Sequence, residues 1–320
     1  MNLLSIDTIR NNARFVYSKM PPSPQMEWPL LSKRAGCELW LKHENHNPTG
    51  SFKVRGGLTY LSNLLTEEPE VQGVVAATRG NFGQSVAYAA SRFGIQSVVV
   101  VPFGNSTDKN LLMAALGAEV IEAGADFDES IQFAGALAEE RKLHLMPSFH
   151  DDLVAGVSTY ALELFEAVAK LDRVYVPIGL GSGICSVVNV RNALNLDCEI
   201  IGVVSENANA YQLSFEAGKF CSTNSADTFA DGLAVRNPNE EALEIILNNV
   251  AAVVSVSDRE IALAMQAIFN DTHNIAEGAG AATTAAVLKE KEKNKGQKVA
   301  AILTGGNVNR EVFVDALSLE

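Results

Sequence analysis

The stretch VQGVVAATRGNFGQSVAYAASRFGIQSVVVVP, residues 71–102, decides the fold class. VQGVVAAT and SVVVVP are short apolar runs, and a segment long enough for an amphipathic helix separates them. The alternation continues to residue 148 through the further strand-like runs EVIEAG and LHLMPS. Continuous apolar strands that alternate with helices are typical of βαβ units, in which helices cover a parallel sheet on both faces.

The same alternation resumes at residue 173 and continues almost to the end of the chain. The strand-like runs here are RVYVPIG, EIIGVVSE, AAVVSVS and VAAILTGG, and helix-length segments lie between them. We therefore predict an α/β protein with two open, mostly parallel sheets. Residues 67–149 are expected to form a small domain, and residues 1–66 together with 150–320 a large one.

The composition is that of an ordinary globular chain of 320 residues, of which 47% are hydrophobic and 20% charged. No stretch approaches the ~20 uninterrupted apolar residues of a membrane span. Asp7 and Arg10 interrupt the N-terminus before a signal-peptide core could form. The formal net charge of −13 would repel a nucleic-acid backbone over most of the surface. We expect no membrane and no nucleic-acid partner, and local groups must hold any bound phosphate.

The four cysteines, Cys37, Cys185, Cys198 and Cys221, include no C-x-x-C pair. They are too few and too widely spaced for a disulfide framework. Reduced thiols and a cytoplasmic location are therefore expected.

Two glycine-rich strand ends are candidate binding sites, because ligands in open α/β folds lie beyond the carboxyl ends of the strands. The loop GLGSG, residues 179–183, follows an apolar run and precedes a helical segment. Its backbone N–H groups and the helix N-terminus could hold an anion without a Lys or Arg. The second strand end, LTGGN at residues 303–307, carries the Thr304 hydroxyl. Each loop is equally compatible with a simple turn, because neither contains G-x-G-x-x-G or the P-loop pattern.

The segment KHENHNPTGSFKVRGG, residues 42–57, contains a candidate nucleophile, Lys53. The run PTGS, residues 48–51, predicts a turn and a helix cap that place Phe52 and Lys53 on the first turn of a helix. A lysine amine at a helix N-terminus and among apolar neighbours is expected to have a lowered pKa, which favours nucleophilic chemistry. Most lysines are solvated surface residues, so the pattern by itself is also compatible with an unreactive Lys53.

A third strand-to-helix junction, TRGNFGQS at residues 78–85, suits a carboxylate ligand. It offers exposed backbone N–H groups, the Thr78 hydroxyl and the Asn81 amide.

Metal binding is not expected from the histidines. His43 and His46 lack the H-E-x-x-H spacing of a zinc site and lie in a turn-rich segment. The run HDD, residues 150–152, is interpreted as a polar loop rather than a metal cluster.

Five segments in this order, KHENHNPTGSFKVRGG, ATRGNFGQS, PIGLGSGICS, FADGLAVRNP and ILTGGN, resemble the serine/threonine dehydratase group of pyridoxal-phosphate enzymes. This group belongs to fold type II, which also includes serine racemase, threonine synthase and cysteine synthase. The Ser-Phe-Lys-x-Arg-Gly form is similar to the dehydratase branch. The resemblance implies a fold like that of the tryptophan synthase β subunit, with pyridoxal 5'-phosphate between a large cofactor-binding domain and a small domain. It also implies a homodimer.

The resemblance further implies roles for individual residues. Lys53 would be the catalytic residue, linked to the cofactor aldehyde as a Schiff base. The implied cofactor-binding residues are Phe52 and Lys53, Asn81 at the phenolic oxygen, Gly179, Leu180, Gly181, Ser182 and Gly183 at the phosphate, Gly232 at the cofactor face, and Thr304 at the pyridine nitrogen. The implied substrate-binding residues are Thr78, Arg79, Gly80, Asn81 and Phe82.

The chain departs from the family pattern inside this set. Arg79 stands where serine racemase has a second serine, and a guanidinium that stays protonated cannot act as a base, so racemisation is disfavoured. Phe82 replaces the usual histidine and removes a polar contact beside the substrate. Val204 and Ala210 fall where metal-activated members carry acidic ligands, so no divalent site of that type is expected.

Two further departures concern the phosphate loop and nearby acids. Leu180 and Ser182 interrupt the usual run of four glycines, and Glu206 and Glu277 are acidic candidates near the site without an assigned role.

The implied reaction is elimination of water from a small β-hydroxy amino acid, L-threonine or L-serine by default, to a 2-oxo acid and ammonia. Arg79 could instead recognise a second carboxylate, as in 3-hydroxyaspartate, and Phe82 could accommodate a larger side chain. A β-replacement synthase would carry the same motifs, and so would a non-catalytic binding protein that has kept the fold.

Overall fold

The computed structural model describes residues 4–319 and contains two sheets. The strands are β1 (Gln25–Glu27), β2 (Glu38–His43), β3 (Gly73–Ala77), β4 (Gln96–Val101), β5 (Glu119–Glu122), β6 (His144–Leu145), β7 (Arg173–Pro177), β8 (Glu199–Ser205), β9 (Ala252–Val256) and β10 (Lys298–Leu303). One sheet has the order β1-β2-β10-β7-β8-β9 and the other β5-β4-β3-β6. The predicted pair of open sheets is confirmed.

Helices connect the strands and cover both sheets. They are α1 (Ile6–Tyr17), α2 (Pro29–Ala35), α3 (Lys53–Glu67), α4 (Asn81–Phe93), α5 (Thr107–Ala115), α6 (Phe127–Arg141), α7 (Asp151–Ala167), α8 (Ser182–Ala193), α9 (Ala210–Ala217), α10 (Glu240–Asn249), α11 (Asp258–Thr272), α12 (Gly278–Lys289) and α13 (Arg310–Leu317). Among residues 4–319, no helix is both long and apolar enough to cross a membrane.

The six-stranded sheet is parallel except for β1, which pairs antiparallel with β2. Its central strand β10 is buried on both faces. Ala300 and Ile302 pack into one core cluster, whereas Val299, Ala301 and Leu303 pack into another on the opposite face. This two-sided burial explains why the run VAAIL is apolar without alternation.

The four-stranded sheet is parallel throughout, and all its strands lie between residues 73 and 145. Val74 and Ala76 face one core cluster, and Val75 and Ala77 face another. The strands of this sheet thus all come from the segment expected to form the small domain, and the strands of the six-stranded sheet all come from the segments expected to form the large one. The domain boundaries themselves stay a prediction.

The interpretation of residues 150–152 as a polar loop is wrong. His150 is the N-cap of α7, and its Nδ1 atom accepts a hydrogen bond from the backbone N–H of Asp152 at 3.1 Å. Asp151 and Asp152 occupy the first turn of this helix, where negative charge is favoured by the helix dipole. The polar run therefore starts a helix.

Candidate active site

A cavity of about 540 Å³ opens beyond the carboxyl ends of β3, β7 and β10. Its walls include every residue for which the sequence predicts a role: Phe52, Lys53, Thr78, Arg79, Gly80, Asn81, Phe82, Gly179, Leu180, Gly181, Ser182, Gly183, Gly232 and Thr304. These residues come from segments far apart in the chain. The parallel strands help to bring them together, because the loops after β7 and β10 lie at the carboxyl edge of one sheet and the loop after β3 lies at the carboxyl edge of the other.

Lys53 lies at the start of α3, deep in this cavity. Its Nζ atom donates a hydrogen bond to Ser182 Oγ at 3.1 Å and lies 4.8 Å from the centre of the Phe52 ring. Burial lowers the pKa of Lys53 to about 8. Roughly a tenth of this amine is therefore neutral at pH 7, against well below about a thousandth for an ordinary lysine. The neutral form is the one that a nucleophile or a base requires.

The cap predicted before Lys53 differs from the structure. The N-cap position of α3 is Phe52, and no side chain caps this helix. Ser51 instead forms a β-bridge with Gly305, and the Phe52 N–H donates to the Thr304 carbonyl at 3.0 Å. Pairing with the end of β10 therefore takes the place of a local cap, and it fixes Lys53 beside Thr304.

A buried ionic cluster, formed by Lys42, Glu44, Arg55 and Glu163, anchors α3 behind Lys53. The Arg55 guanidinium contacts Glu44 Oε2 at 2.7 Å and Glu163 Oε1 at 2.6 Å, and the Arg55 and Glu44 side chains have no exposed surface. Because Arg55 follows Lys53 by two residues, this cluster holds the first turn of α3 in place.

The loop of residues 179–183 forms a wall of the cavity after β7. Gly181 has φ +105°, a left-handed conformation that favours glycine, and a Cβ at Gly179 would lie 2.3 Å from the Gly232 carbonyl oxygen. Tyr211 and Tyr160 support the loop from behind by donating to the carbonyls of Leu180 and Gly183, both at 3.0 Å. α8 begins at Ser182, so the N–H groups of its first turn lack partners within the helix.

The Thr78–Phe82 segment forms the opposite wall. Thr78 Oγ1 accepts hydrogen bonds from the N–H groups of Gly80 and Gly83, which shapes the turn that leads into α4. The Phe82 side chain packs into the core with Val54 and neighbouring residues, so it is a buried packing residue at the cavity wall.

Arg79 lies at the mouth of the cavity. Its side chain is exposed, and it forms no ion pair or hydrogen bond with another residue in the described part of the chain. A second cavity of about 530 Å³, lined also by Lys109, Asp231 and Glu277, adjoins the first at Arg79.

Lys109, Asp231 and Glu277 are charged residues of the cavity wall that had no predicted role. Lys109 Nζ contacts Asp231 Oδ2 at 2.8 Å, and Glu277 Oε1 accepts a hydrogen bond from Asn81 Nδ2 at 2.6 Å. Lys109 follows β4 and could have been found by the same strand-end rule as the other residues. Glu206 does not line the cavity and contacts Lys289 at 3.2 Å, so its expected proximity to the site is wrong.

The residues present fit pyridoxal 5'-phosphate. The cavity offers a buried amine at Lys53, a glycine-rich loop of backbone N–H groups for a phosphate, and the buried Thr304 hydroxyl for a ring nitrogen. Among residues 4–319, no group of three or more His, Cys, Asp or Glu side chains could hold a metal ion.

Comparisons with known proteins agree with this chemistry. Residues 18–305 match the sequence profile of the family described as "Pyridoxal-phosphate dependent enzyme". An L-threonine ammonia-lyase of Thermotoga maritima is 37% identical over 88% of this chain and 70% of its own length. An L-threo-3-hydroxyaspartate ammonia-lyase of Saccharomyces cerevisiae is 31% identical over 92% of this chain and 91% of its own length.

A solved structure shares the fold. The processed form of threonine deaminase isoform 2 from Solanum lycopersicum has a TM-score of 0.90 and 29% identity, over 99% of this chain and 94% of that one. The chain also matches biosynthetic L-threonine dehydratases, such as that of Pasteurella multocida, and spans 58% of their length.

Proposed function

This chain belongs to the pyridoxal-phosphate-dependent enzymes, and from that membership we propose that it is an ammonia-lyase acting on a small β-hydroxy amino acid. The substrate loses water and is converted into a 2-oxo acid and ammonia. L-Threonine and L-serine are the substrates that we place first, since the Thermotoga maritima relative is named for threonine.

The buried Lys53 amine is the observation that carries this proposal. When bound, pyridoxal 5'-phosphate withdraws electrons from the substrate Cα and so weakens its C–H bond. Lys53 Nζ takes up the Cα proton, the electron pair of that C–H bond forms a Cα–Cβ double bond, and the Cβ–O bond breaks as hydroxide leaves. The proton taken up from Cα balances the hydroxide, so the net loss is one molecule of water. Hydrolysis of the resulting unsaturated amino acid yields the 2-oxo acid and ammonia. A Lys53 pKa of about 8 suits an amine that must be neutral before it accepts this proton.

The remaining cavity residues bind and orient. The N–H groups of residues 179–183 would hold the phosphate, and Ser182 Oγ accepts a hydrogen bond from the Lys53 amine at 3.1 Å. The Thr304 hydroxyl, which is buried in the cavity wall, would contact the pyridine nitrogen. A hydroxyl partner leaves this nitrogen unprotonated, whereas a carboxylate partner would keep it protonated. An unprotonated ring withdraws electrons less strongly, which favours rapid loss of the β-substituent over a long-lived carbanion.

A second candidate substrate is 3-hydroxyaspartate. Arg79 carries an unpaired guanidinium at the cavity mouth, and a second carboxylate of the substrate would pair with it in bidentate geometry. The Saccharomyces cerevisiae relative, which is named for this substrate, aligns over most of both chains.

The test is a substrate panel. We would measure 2-oxo acid and ammonia released by the cofactor-loaded protein from L- and D-threonine, L- and D-serine, threo- and erythro-3-hydroxyaspartate and phenylserine. Preference for threonine or serine supports the first candidate. If 3-hydroxyaspartate is preferred, Arg79→Met should remove that preference and leave turnover of threonine. No product from any of them, with the Lys53-linked cofactor intact, would overturn the proposal.

A β-replacement synthase is distinguished by a second nucleophile. A thiol added with an activated serine would then yield a substituted amino acid in place of the 2-oxo acid. Assembly as a homodimer stays a prediction from the family resemblance, and a cytoplasmic location stays a prediction from the N-terminal sequence and the cysteines.

A further inference from the structure

Glu277 lies in the wall of the cavity, yet no step of the proposed reaction uses it. Only 8% of its surface is exposed, and it occupies the N-cap position of α12. A Cβ at Gly305 would lie 2.3 Å from Glu277 Oε1, so the glycine after Thr304 leaves the space that this carboxylate fills. The end of β10 is thus shaped around the Glu277 side chain.

The Glu277 carboxylate holds one side of the Asn81 amide, and Asn307 holds the other. Asn81 Nδ2 donates to Glu277 Oε1 at 2.6 Å, and Asn81 Oδ1 accepts from Asn307 Nδ2 at 2.8 Å. The two N–H donors of Asn307 Nδ2 are shared among three acceptors, since the Thr49 carbonyl at 2.8 Å and Gln84 Oε1 at 2.7 Å also lie within hydrogen-bond distance. If the oxygen and nitrogen of the Asn81 amide were exchanged, its oxygen would face the Glu277 carboxylate and its N–H groups would face the N–H groups of Asn307. Both contacts would be repulsive. The orientation of the Asn81 amide is therefore fixed from both sides.

This arrangement leaves one N–H of Asn81 unused. A primary amide has two N–H donors, and Glu277 accepts only one of them. Asn81 lines the cavity, so the second donor belongs to the cavity wall. We propose that Glu277 is a positioning residue, whose carboxylate orients Asn81 to donate to the phenolic oxygen of the cofactor. The inference rests on the place proposed for Asn81 beside the cofactor.

The charges around Glu277 come from two other segments. Lys109 projects from α5, and Asp231 lies in the turn of residues 231–233. Burial raises the pKa of Glu277, the nearby Lys109 ammonium and the Asn81 hydrogen bond oppose that shift, and Asp231 adds to it. An ionised acceptor makes a stronger hydrogen bond than a neutral one, so the Asn81 contact is strongest when Glu277 is charged.

The test compares Glu277→Gln with Glu206→Gln, an exposed glutamate outside the cavity. Glutamine keeps the size of the side chain but removes its charge, so we expect kcat to fall about tenfold with KM unchanged. A weaker hydrogen bond to the phenolic oxygen disfavours its ionised form. The absorption of the bound cofactor, recorded without substrate, should therefore shift to shorter wavelength. Glu206→Gln should change none of these quantities.

A double-mutant comparison separates positioning from a general structural role. In an Asn81→Ala background, Glu277→Gln should produce no further spectral shift, because its effect passes through Asn81. Asn307→Leu, which releases the amide from the other side, should reproduce the shift with Glu277 intact and covers the case in which Glu277 variants fail to fold. A wild-type spectrum in Glu277→Gln, or an undiminished shift without Asn81, would overturn the inference. Because these spectra need no turnover, they stand even if the substrate panel overturns the proposed reaction.

Discussion

Lys42 and Lys53 are two desolvated lysines with different surroundings: Lys42 is fully buried, and Lys53 is half-buried in the cavity wall. Lys42 Nζ donates to the Ser23 carbonyl at 2.7 Å, Gln25 Oε1 at 3.0 Å and Glu163 Oε2 at 2.5 Å, so all three of its donors are used. Lys53 Nζ donates to Ser182 Oγ alone among the described residues. Burial lowers the pKa of both amines, but only Lys42 has carboxylates, Glu44 and Glu163, that oppose the shift.

The difference separates a structural charge from a reactive one. In the cluster around Lys42, the lysine and arginine pair with the two glutamates, and the Lys42 amine has no donor left for a ligand. Among the described residues, the cavity around Lys53 leaves the amine and the loop N–H groups short of partners. A buried polar group without a partner is costly, and it persists where a ligand supplies the missing contacts.

The largest expected effect follows from removing the reactive amine. Lys53→Ala should lower turnover by at least about 10²–10⁴-fold and abolish the absorption of protein-linked cofactor, with little change in thermal unfolding. Lys42→Met is the control, because it removes the other desolvated lysine. It should lower the unfolding temperature, while the protein that remains folded still links the cofactor through Lys53. Substrate turnover, absorption spectra and thermal melts check both. Wild-type turnover in Lys53→Ala would contradict the role of Lys53.

The next effect is on stability. Arg55→Met leaves the carboxylates of Glu44 and Glu163 with Lys42 as their remaining cation, and removal of one partner from a buried ion pair costs about 3–5 kcal/mol. Urea unfolding of the apoprotein measures this loss. Arg141→Met, which removes an exposed ion pair with Glu119, is the control and should unfold like the wild type. Equal unfolding curves for the two variants would show that the cluster does not stabilise α3.

The smallest effect concerns pH. A lysine with an ordinary pKa becomes neutral only near pH 10, whereas a Lys53 pKa lowered to about 8 makes the neutral amine dominant above that pH. The rate of cofactor linkage to the apoprotein should therefore rise about tenfold per pH unit below pH 8 and level off above it. Absorbance at the protein-linked band follows the rate. A rate that still climbs steeply between pH 9 and 10 would mean that Lys53 is not desolvated.

Most of the architecture was predictable because its signals are local. The apolar runs of β3, β4, β7 and β10 need no partner to be recognised as buried parallel strands. Strand ends then pointed to the loop of residues 179–183 and to Thr304, since the carboxyl edge of such a sheet is where ligands bind. Lys53 and the Asn81 amide were candidates from their own segments, and the resemblance of five ordered segments gave them roles at the cofactor.

The errors have two causes: a distant partner that overrides a local pattern, and a local helix cap that was not recognised at residues 150–152. Ser51 suits a helix cap, but its backbone pairs with Gly305 at the end of β10. Residues 150–152 suit a polar loop, but they begin α7. Glu206 and Glu277 are both glutamates near family motifs, and only folding distinguishes the exposed one from the one that contacts Asn81.

The order of strands, helices and glycine turns was thus readable from the chain, because each depends on neighbouring residues and on burial, which the apolar pattern records. The pairing of charges was not. Whether a lysine meets two carboxylates, as Lys42 does near Glu163, or a single hydroxyl, as Lys53 does at Ser182, depends on side chains more than a hundred residues away. Such contacts form only once the sheets pack, and they determine which buried amine is free to react.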